Sequence, residues 1–316
     1  MDNNFKIFTG QANIPFAEKV CMILGKKISD VEYIKFADGE LSLKVLESVR
    51  GQDIFIIQSI SSPVNDNLME LLIIIDAIKR SSAKSISIIV PYFAYARQDR
   101  STSGRQPITA KLVANMISSA GANRVMMMEP HTLQMLGFFD IPVDGLSGCD
   151  AFLNYFAQID GTEEEKLNNY ILVSPDVGGV ERVRKYANHF DNMPIAVINK
   201  RRDKPGSVSE MYLVGDVRGK HAIIIDDMVD SGGTLCKAAN LVLENGAIDV
   251  SAFIVHGILS HNAKELIENS KLKKLVITDT IKQGELPSKI KVTSIAPLVA
   301  EVIERVYSNQ SLSDLF

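Results

Sequence analysis

Residues Ile223 to Leu235 read IIIDDMVDSGGTL and hold the densest set of chemistry-bearing side chains in the chain. Three isoleucines suit a buried strand end. Two carboxylates, Asp226 and Asp227, follow at once, then Asp230, then Ser231-Gly232-Gly233-Thr234 and a helical pattern. In open parallel sheets, ligands sit beyond the carboxyl ends of the strands. Glycines let backbone N–H groups approach a phosphate, and a helix N-terminus adds partial positive charge. Ser231 and Thr234 can donate hydroxyls to phosphate oxygens. Asp226 and Asp227 can accept from two vicinal sugar hydroxyls, directly or through Mg²⁺. One loop could therefore grip a sugar phosphate at both ends. The plain alternative is an ordinary strand–turn–helix with an acidic cap.

Other clusters lie elsewhere. Arg97, Gln98, Asp99 and Arg100 follow Pro91-Tyr92-Phe93, and arginine suits both bidentate phosphate contact and stacking on a base. Phe36 to Glu40 reads FADGE, an Asp-Gly turn between strands. Lys200, Arg201 and Arg202 open a polar segment, 203–210, with Pro205 and Gly206. It has the composition of a mobile basic flap, or of a solvated basic turn. His131 follows an apolar strand pattern, and Asp176 stands in Ser174 to Gly179, SPDVGG.

With Tyr95–Arg100 (YARQDR), Gly104–Leu112 (GRQPITAKL), Asn199–Asp203 (NKRRD) and Gln134–Pro142 (QMLGFFDIP), these motifs resemble those of the ribose-phosphate diphosphokinase (PRPP synthetase) family, class I type, and the resemblance runs from about Phe5 to Phe316. That resemblance implies an α/β protein of two phosphoribosyltransferase-like (type I) domains, each a mainly parallel sheet flanked by helices. The implied reaction moves the diphosphoryl group of ATP to the anomeric hydroxyl of ribose 5-phosphate. It also implies Mg²⁺ dependence and a dimer-based homo-oligomer, with a hexamer expected. Carried onto this sequence, Lys200 and Arg202 stabilise the transition state. Phe36, Asp38, Glu40, Arg97, Gln98, Asp99 and Arg100 bind ATP, the FADGE turn reaching adenine across a subunit interface. Asp226, Asp227, Asp230, Ser231, Gly232, Gly233 and Thr234 bind ribose 5-phosphate. His131 matches the metal-linked histidine, and Asp176 the matching carboxylate, with a metal or ribose role.

Departures from the family pattern fall in three places, of which Val177, standing where many members have histidine or alanine, is at a variable position and carries little weight. Ser101-Thr102-Ser103-Gly104-Arg105 keeps a single charge where the family has several basic residues, which weighs against ordinary allosteric control by ADP or phosphate. Arg50, Gln134, Asp144 and Ser311-Leu312-Ser313 still resemble parts of the regulatory site. Glu129-Pro130 stands before His131 in place of the usual Asp-Leu, and Pro130 fixes its own φ and lacks an N–H donor. A phosphoribosyltransferase would not need the nucleotide-binding set or a second domain. A catalytically silent subunit would not need Lys200, Arg202 and an intact Asp226 to Thr234 loop.

These residues need a scaffold, and the chain alternates short β-branched runs with helical patterns throughout. Strands are expected at 53–58, 85–90, 124–128, 170–174, 195–199, 221–225, 249–255 and 275–278; helices at 65–79, 109–120, 179–188, 233–244 and 297–307. Such βαβ rhythm argues for parallel sheets. The glycines of 144–150 mark the domain crossing, giving 1–147 and 148–316. With 316 residues and 46% apolar content, two cores are affordable. A net charge of −4 speaks against non-specific nucleic-acid binding. The longest apolar run, Leu71–Ile78, is broken by Asp76 and far short of the roughly 20 residues that cross a bilayer. Cys21, Cys149 and Cys236 fit neither a disulfide framework nor a zinc pattern, and Met1-Asp2-Asn3-Asn4 has no signal-peptide character. A reduced, cytoplasmic setting is expected.

Overall fold

The computed structural model describes residues 5–190, 192–201 and 210–315. The chain forms two compact units. The first runs to Gly148 and takes in 280–282 and the chain from 294 onward; the second comprises 149–279 and 283–293. A single cut at 147/148 would give the C-terminal segment to the second unit, whereas the structure returns it to the first.

In the first unit, β1 (Phe5–Thr9) leads into α1 (Ile14–Ile23), and β2 (Val31–Lys35) and β3 (Leu41–Val45) form a hairpin. Then come β4 (Asp53–Ile57), α2 (Val64–Arg80), β5 (Ser85–Val90), α3 (Thr109–Ala120), β6 (Arg124–Met128) and β7 (Val143–Leu146). The sheet order is β1-β4-β5-β6-β7, parallel throughout. β4 and β5 are buried at every residue but the first, as a parallel strand covered on both faces requires. On α2, Leu68, Leu71, Ile74, Ile75 and Ile78 recur at helical spacing on the buried face, while Asp76 pairs outward with Arg80 at 2.6 Å. Each such aliphatic side chain stabilises the fold by about 1.5–3 kcal/mol when fully buried. α3 stops at Gly121, whose φ of +125° suits the residue that ends a helix.

The second unit holds α4 (Cys149–Ala157), α5 (Glu163–Asn169), β8 (Tyr170–Ser174), α6 (Val180–Asn188), β9 (Ile195–Arg201), β10 (Glu210–Val214), β11 (His221–Val229), α7 (Gly233–Glu244), β12 (Asp249–Gly257), α8 (Ala263–Glu268), β13 (Lys274–Thr278) and β14 (Ile290–Thr293). Its sheet runs β10-β9-β8-β11-β12-β13-β14, with only β10 antiparallel. The core between sheet and helices gathers Ile171, Val173, Ile198, Ile224, Ala238 and Val242. The last helix, α9 (Ala296–Tyr307), packs against α1 in the first unit, where Tyr307 meets Phe5 at 4.9 Å between ring centroids.

β11 differs from its expected extent in a way that matters. It continues past Ile225 to Val229 because β12 stays paired with it, Asp226 opposite Ile254 and Val229 opposite Gly257. The acidic pair therefore lies on strand rather than in a free loop.

Candidate active site

The cradle in the second unit begins where β11 ends. Gly232 has φ +77°, the left-handed region that costs an L side chain energy. A Cβ there would meet Ile267 Cγ1 at 3.4 Å, whereas one on Gly233 would meet nothing. The first turn of α7 has no side-chain cap, so its N–H groups remain available to an anion. Ser231 and Thr234 are exposed beside it. Asp230 behaves differently from its neighbours. Its carboxylate accepts from the Ser260 hydroxyl and its carbonyl accepts from Ser260 N–H at 3.1 Å, which ties the loop to the segment after β12.

Asp227 is buried and Asp226 partly so. Arg182, the third residue of α6, places Nη1 3.3 Å from Asp226 Oδ1 and 3.4 Å from Asp227 Oδ1. Burial pushes the Asp226 carboxyl well above the usual range, and the Asp227 carboxylate adds to that. Arg182 pulls it down, while Asp176 raises it further. Asp176 closes a tight turn: its Oδ1 accepts from Gly179 N–H at 3.0 Å and its carbonyl from Ser174 Oγ at 2.6 Å. A Cβ on Gly179 would lie 2.9 Å from that Oγ, which explains the glycine. Arg182 was not singled out from the sequence. The signal available was a basic residue one turn past SPDVGG, on a helix that returns over the strand ends.

Lys200 lies at the end of β9, and only its backbone is described; Arg202 lies outside the described residues. Ile224 aligns with Val173 and Val173 with Ala196, so Asp227, three residues past Ile224, and Lys200, four past Ala196, sit at the same edge of the sheet. β8 lies between their strands, about 10 Å of lateral separation at roughly 4.8 Å per strand.

The remaining expected residues belong to the first unit. The FADGE turn closes the β2–β3 hairpin, with Phe36 N–H donating to Glu40 O at 2.9 Å, Gly39 N–H to Phe36 O at 3.0 Å and Glu40 N–H to Asp38 Oδ1 at 3.1 Å. Gly39 takes φ +98° there. Phe36 is 51% exposed, so its own unit does not bury the ring. Arg97 and Arg100 are exposed. Gln98 is engaged at the start of α3: its Oε1 accepts from Thr109 Oγ1 at 2.6 Å and its carbonyl from Ala110 N–H at 3.2 Å. Asp99 Oδ2 accepts from Thr132 Oγ1 at 2.8 Å, which brings the arginine cluster to the His131 segment. Glu129 takes φ +40°, unusual for a residue with a side chain, and its carboxylate accepts from Gly148 N–H at 2.8 Å. The Glu-Pro pair before His131 thus braces the end of the unit.

The charge-poor loop after Arg100 closes on itself, with Gln106 Oε1 accepting from Thr102 N–H at 3.2 Å, Thr102 Oγ1 at 3.0 Å and Ser103 N–H at 3.2 Å. Asp144 pairs with Arg124 at 2.5 Å, and Arg50 is exposed. Among the described residues no group of three or more His, Cys, Asp or Glu could hold a metal ion. Mg²⁺ does not demand such a cage, since it keeps several waters and binds through one or two carboxylates plus substrate phosphates. The carboxylates of Asp176, Asp226 and Asp227 are hard oxygen donors of the kind Mg²⁺ takes, and Asp176 is near enough to raise the Asp226 pKa, so the donor chemistry fits the ion.

Two mainly parallel α/β units, one with an acidic strand end beside a glycine turn at an uncapped helix N-terminus, define an α/β protein with a feature chemically suited to an anion. Residues 5–121 match the family described as the N-terminal domain of ribose phosphate pyrophosphokinase, and 188–316 match the phosphoribosyl synthetase-associated domain. The chain is 48% identical over 312 residues to a ribose-phosphate pyrophosphokinase of Campylobacter jejuni, covering 99% of each chain. It is 48% identical over 316 residues to that of Thermosipho africanus, covering 99% of this chain and 98% of the other. The crystal structure of a phosphoribosylpyrophosphate synthetase from Mycobacterium smegmatis superposes with a TM-score of 0.90 at 39% identity, covering 97% of this chain and 100% of that one. The chain belongs to the ribose-phosphate pyrophosphokinase family, and the fold class and family expected from its motifs hold.

Proposed function

We propose that this chain transfers the diphosphoryl group of ATP to ribose 5-phosphate, forming PRPP and AMP. The observation that carries the reading is the end-to-end match to ribose-phosphate pyrophosphokinases, 48% identity over 99% of both chains. The cradle supports it independently. N–H groups of residues 231–234 and the Ser231 and Thr234 hydroxyls hold the 5-phosphate on the N-terminus of α7, with Gly232 and Gly233 leaving room for it. Asp226 and Asp227 receive the ribose hydroxyls. Asp230 acts through Ser260 to hold the loop in place. The anomeric oxygen attacks the β-phosphorus, the bond from that phosphorus to the α–β bridging oxygen breaks, and AMP leaves with that oxygen. The hydroxyl proton passes to solvent.

Such transfer depends on positioning and on neutralising charge on the moving oxygens. Lys200 and Arg202 serve that end. Arg97 and Arg100 contact nucleotide phosphates, while Gln98 and Asp99, already bonded to Thr109 and Thr132, hold that cluster in shape. Exposed Phe36 stacks on adenine in a neighbouring copy, with Asp38 and Glu40 beside it, which makes the working enzyme a homo-oligomer. Asp176, with Asp226 beside it, would offer carboxylate oxygens to Mg²⁺, and His131 is the imidazole that the family pattern links to the metal. When bound, the ion neutralises phosphate oxygens and orients the triphosphate. No described helix is long and apolar enough to cross a membrane. Cys21, Cys149 and Cys236 are buried and none of them is in a disulfide, in keeping with the expected reduced cytoplasmic setting.

Purified protein given MgATP and ribose 5-phosphate should release AMP and PRPP in equal amounts. Consumption of PRPP with a free base would mark a phosphoribosyltransferase instead, and absence of turnover a silent subunit.

A further inference from the structure

Arg182 stands on neither the cradle nor the basic segment after β9, yet its guanidinium reaches the centre of the acidic strand end. Its side chain is 12% exposed, and those of Asp226 and Asp227 are 28% and 5% exposed. One nitrogen, Nη1, serves Oδ1 of both carboxylates at 3.3 and 3.4 Å. Asp227 N–H also donates to Asp226 Oδ1 at 2.9 Å. Both carboxylates thus have one oxygen turned toward a shared point. The helix that carries Arg182 starts from the SPDVGG turn and packs against β8, β9 and β11. Arg182 therefore links the Asp176–Gly179 turn, from which its helix starts, to Asp226 and Asp227, Asp226 lying 44 residues further along the chain than Arg182.

A guanidinium beside an anion cradle invites the reading that it grips phosphate, since its fork suits phosphate oxygens. The geometry points elsewhere. Nη1 is committed to the carboxylates, and the N–H groups that suit phosphate belong to α7. Two neighbouring carboxylates of like charge would splay apart without a cation between them, and vicinal hydroxyls need acceptors at a set spacing.

We propose that Arg182 is a positioning residue for the sugar end of the substrate: it fixes the mutual orientation of Asp226 and Asp227 and couples it to the SPDVGG turn. This rests on the reading of the acidic pair as the ribose site. The test is calorimetric binding of ribose 5-phosphate, with steady-state kinetics, on wild type, Arg182→Gln, Arg182→Lys, Asp226→Asn and the Arg182→Gln/Asp226→Asn pair. Arg182→Gln should weaken ribose 5-phosphate binding by roughly ten-fold or more while KM for ATP stays within about two-fold. Arg182→Lys should recover part of the loss. Because Arg182 acts through the pair, its effect should shrink in the Asp226→Asn background rather than multiply. Unchanged sugar binding in Arg182→Gln, an equal rise in KM for ATP, or multiplicative losses in the double variant would each overturn the proposal. Wild-type protein that binds no ribose 5-phosphate would sink the functional reading itself, a result distinct from wild type and Arg182→Gln binding it equally.

Discussion

Asp226 shows how one residue can oppose the stability of the fold that holds it. Burial and the Asp227 carboxylate raise its folded-state pKa above the ordinary 3.8. The sign follows from linkage: a raised folded value means that the stabilising contribution of the protonated form is complete below the unfolded value and is lost as pH rises through the folded one. At neutral pH the native state therefore carries a repulsion that the unfolded chain lacks. Asp226→Asn should raise the melting temperature at neutral pH, with the gain over wild type narrowing toward pH 4, and should impair use of ribose 5-phosphate. Thermal unfolding across that range checks it; an Asn variant less stable than wild type at neutral pH would contradict the electrostatic account. Lys200 presents the opposite case, since its proposed partner is charge that develops only during reaction. Lys200→Ala should lower kcat by about 10²–10³, the scale for losing one electrostatic contact to a transition state, with little change in either KM. A pure loss of affinity at normal turnover would rule that role out.

At the scale of elements, the loop between β11 and α7 separates two glycines that look equivalent in sequence. Gly232 is fixed by backbone shape, so Gly232→Ala should cost about 1–2 kcal/mol in stability as well as sugar binding. Gly233 lies in the first turn of α7 with open space where a Cβ would be, and alanine favours a helix over glycine by about 0.5–1 kcal/mol. Gly233→Ala should therefore leave stability unchanged or improved while raising KM for ribose 5-phosphate, because the added methyl enters the space meant for the phosphate. Melting curves set beside sugar kinetics separate the two, and a Gly233→Ala enzyme with normal sugar KM would show that phosphate does not approach there. These elements were readable to differing degrees. Runs such as SISIIV and RVMMM are buried on both faces, so composition alone marks β5 and β6 with their ends. The helical periodicity that identifies α3 stops at Gly121, the glycine that ends it. β11 outran its apolar run because ladder hydrogen bonds depend on a neighbouring strand, not on side-chain polarity. Arg182 was illegible for a related reason: its contact joins residues far apart in sequence, and nothing local distinguishes it from the exposed Arg184 on the same helix, which pairs with Glu181 three residues before it.

Across the whole molecule, the proposed groups are divided between two compact units, with Phe36, Arg97, Arg100 and His131 in the first and Asp176, Lys200 and the cradle in the second. The destination of the C-terminal helix was hidden in the sequence, because a single crossing point cannot reveal that a chain returns. The exposed ring of Phe36 supports a site completed by another copy. Phe36→Ala and Lys200→Ala proteins should each be nearly inactive alone, and mixed after dissociation and reassembly they should recover part of the wild-type rate through sites that combine intact halves. Absence of any recovery in verified mixed oligomers would place Phe36 in the service of its own chain. The central claim is that the anomeric oxygen of ribose 5-phosphate becomes the bridge to the transferred diphosphoryl group. Ribose 5-phosphate carrying ¹⁸O at that position, followed by ³¹P NMR, tests it directly: the label should appear between C1 and phosphorus in PRPP and be absent from AMP. Label lost to water or found in AMP would contradict it.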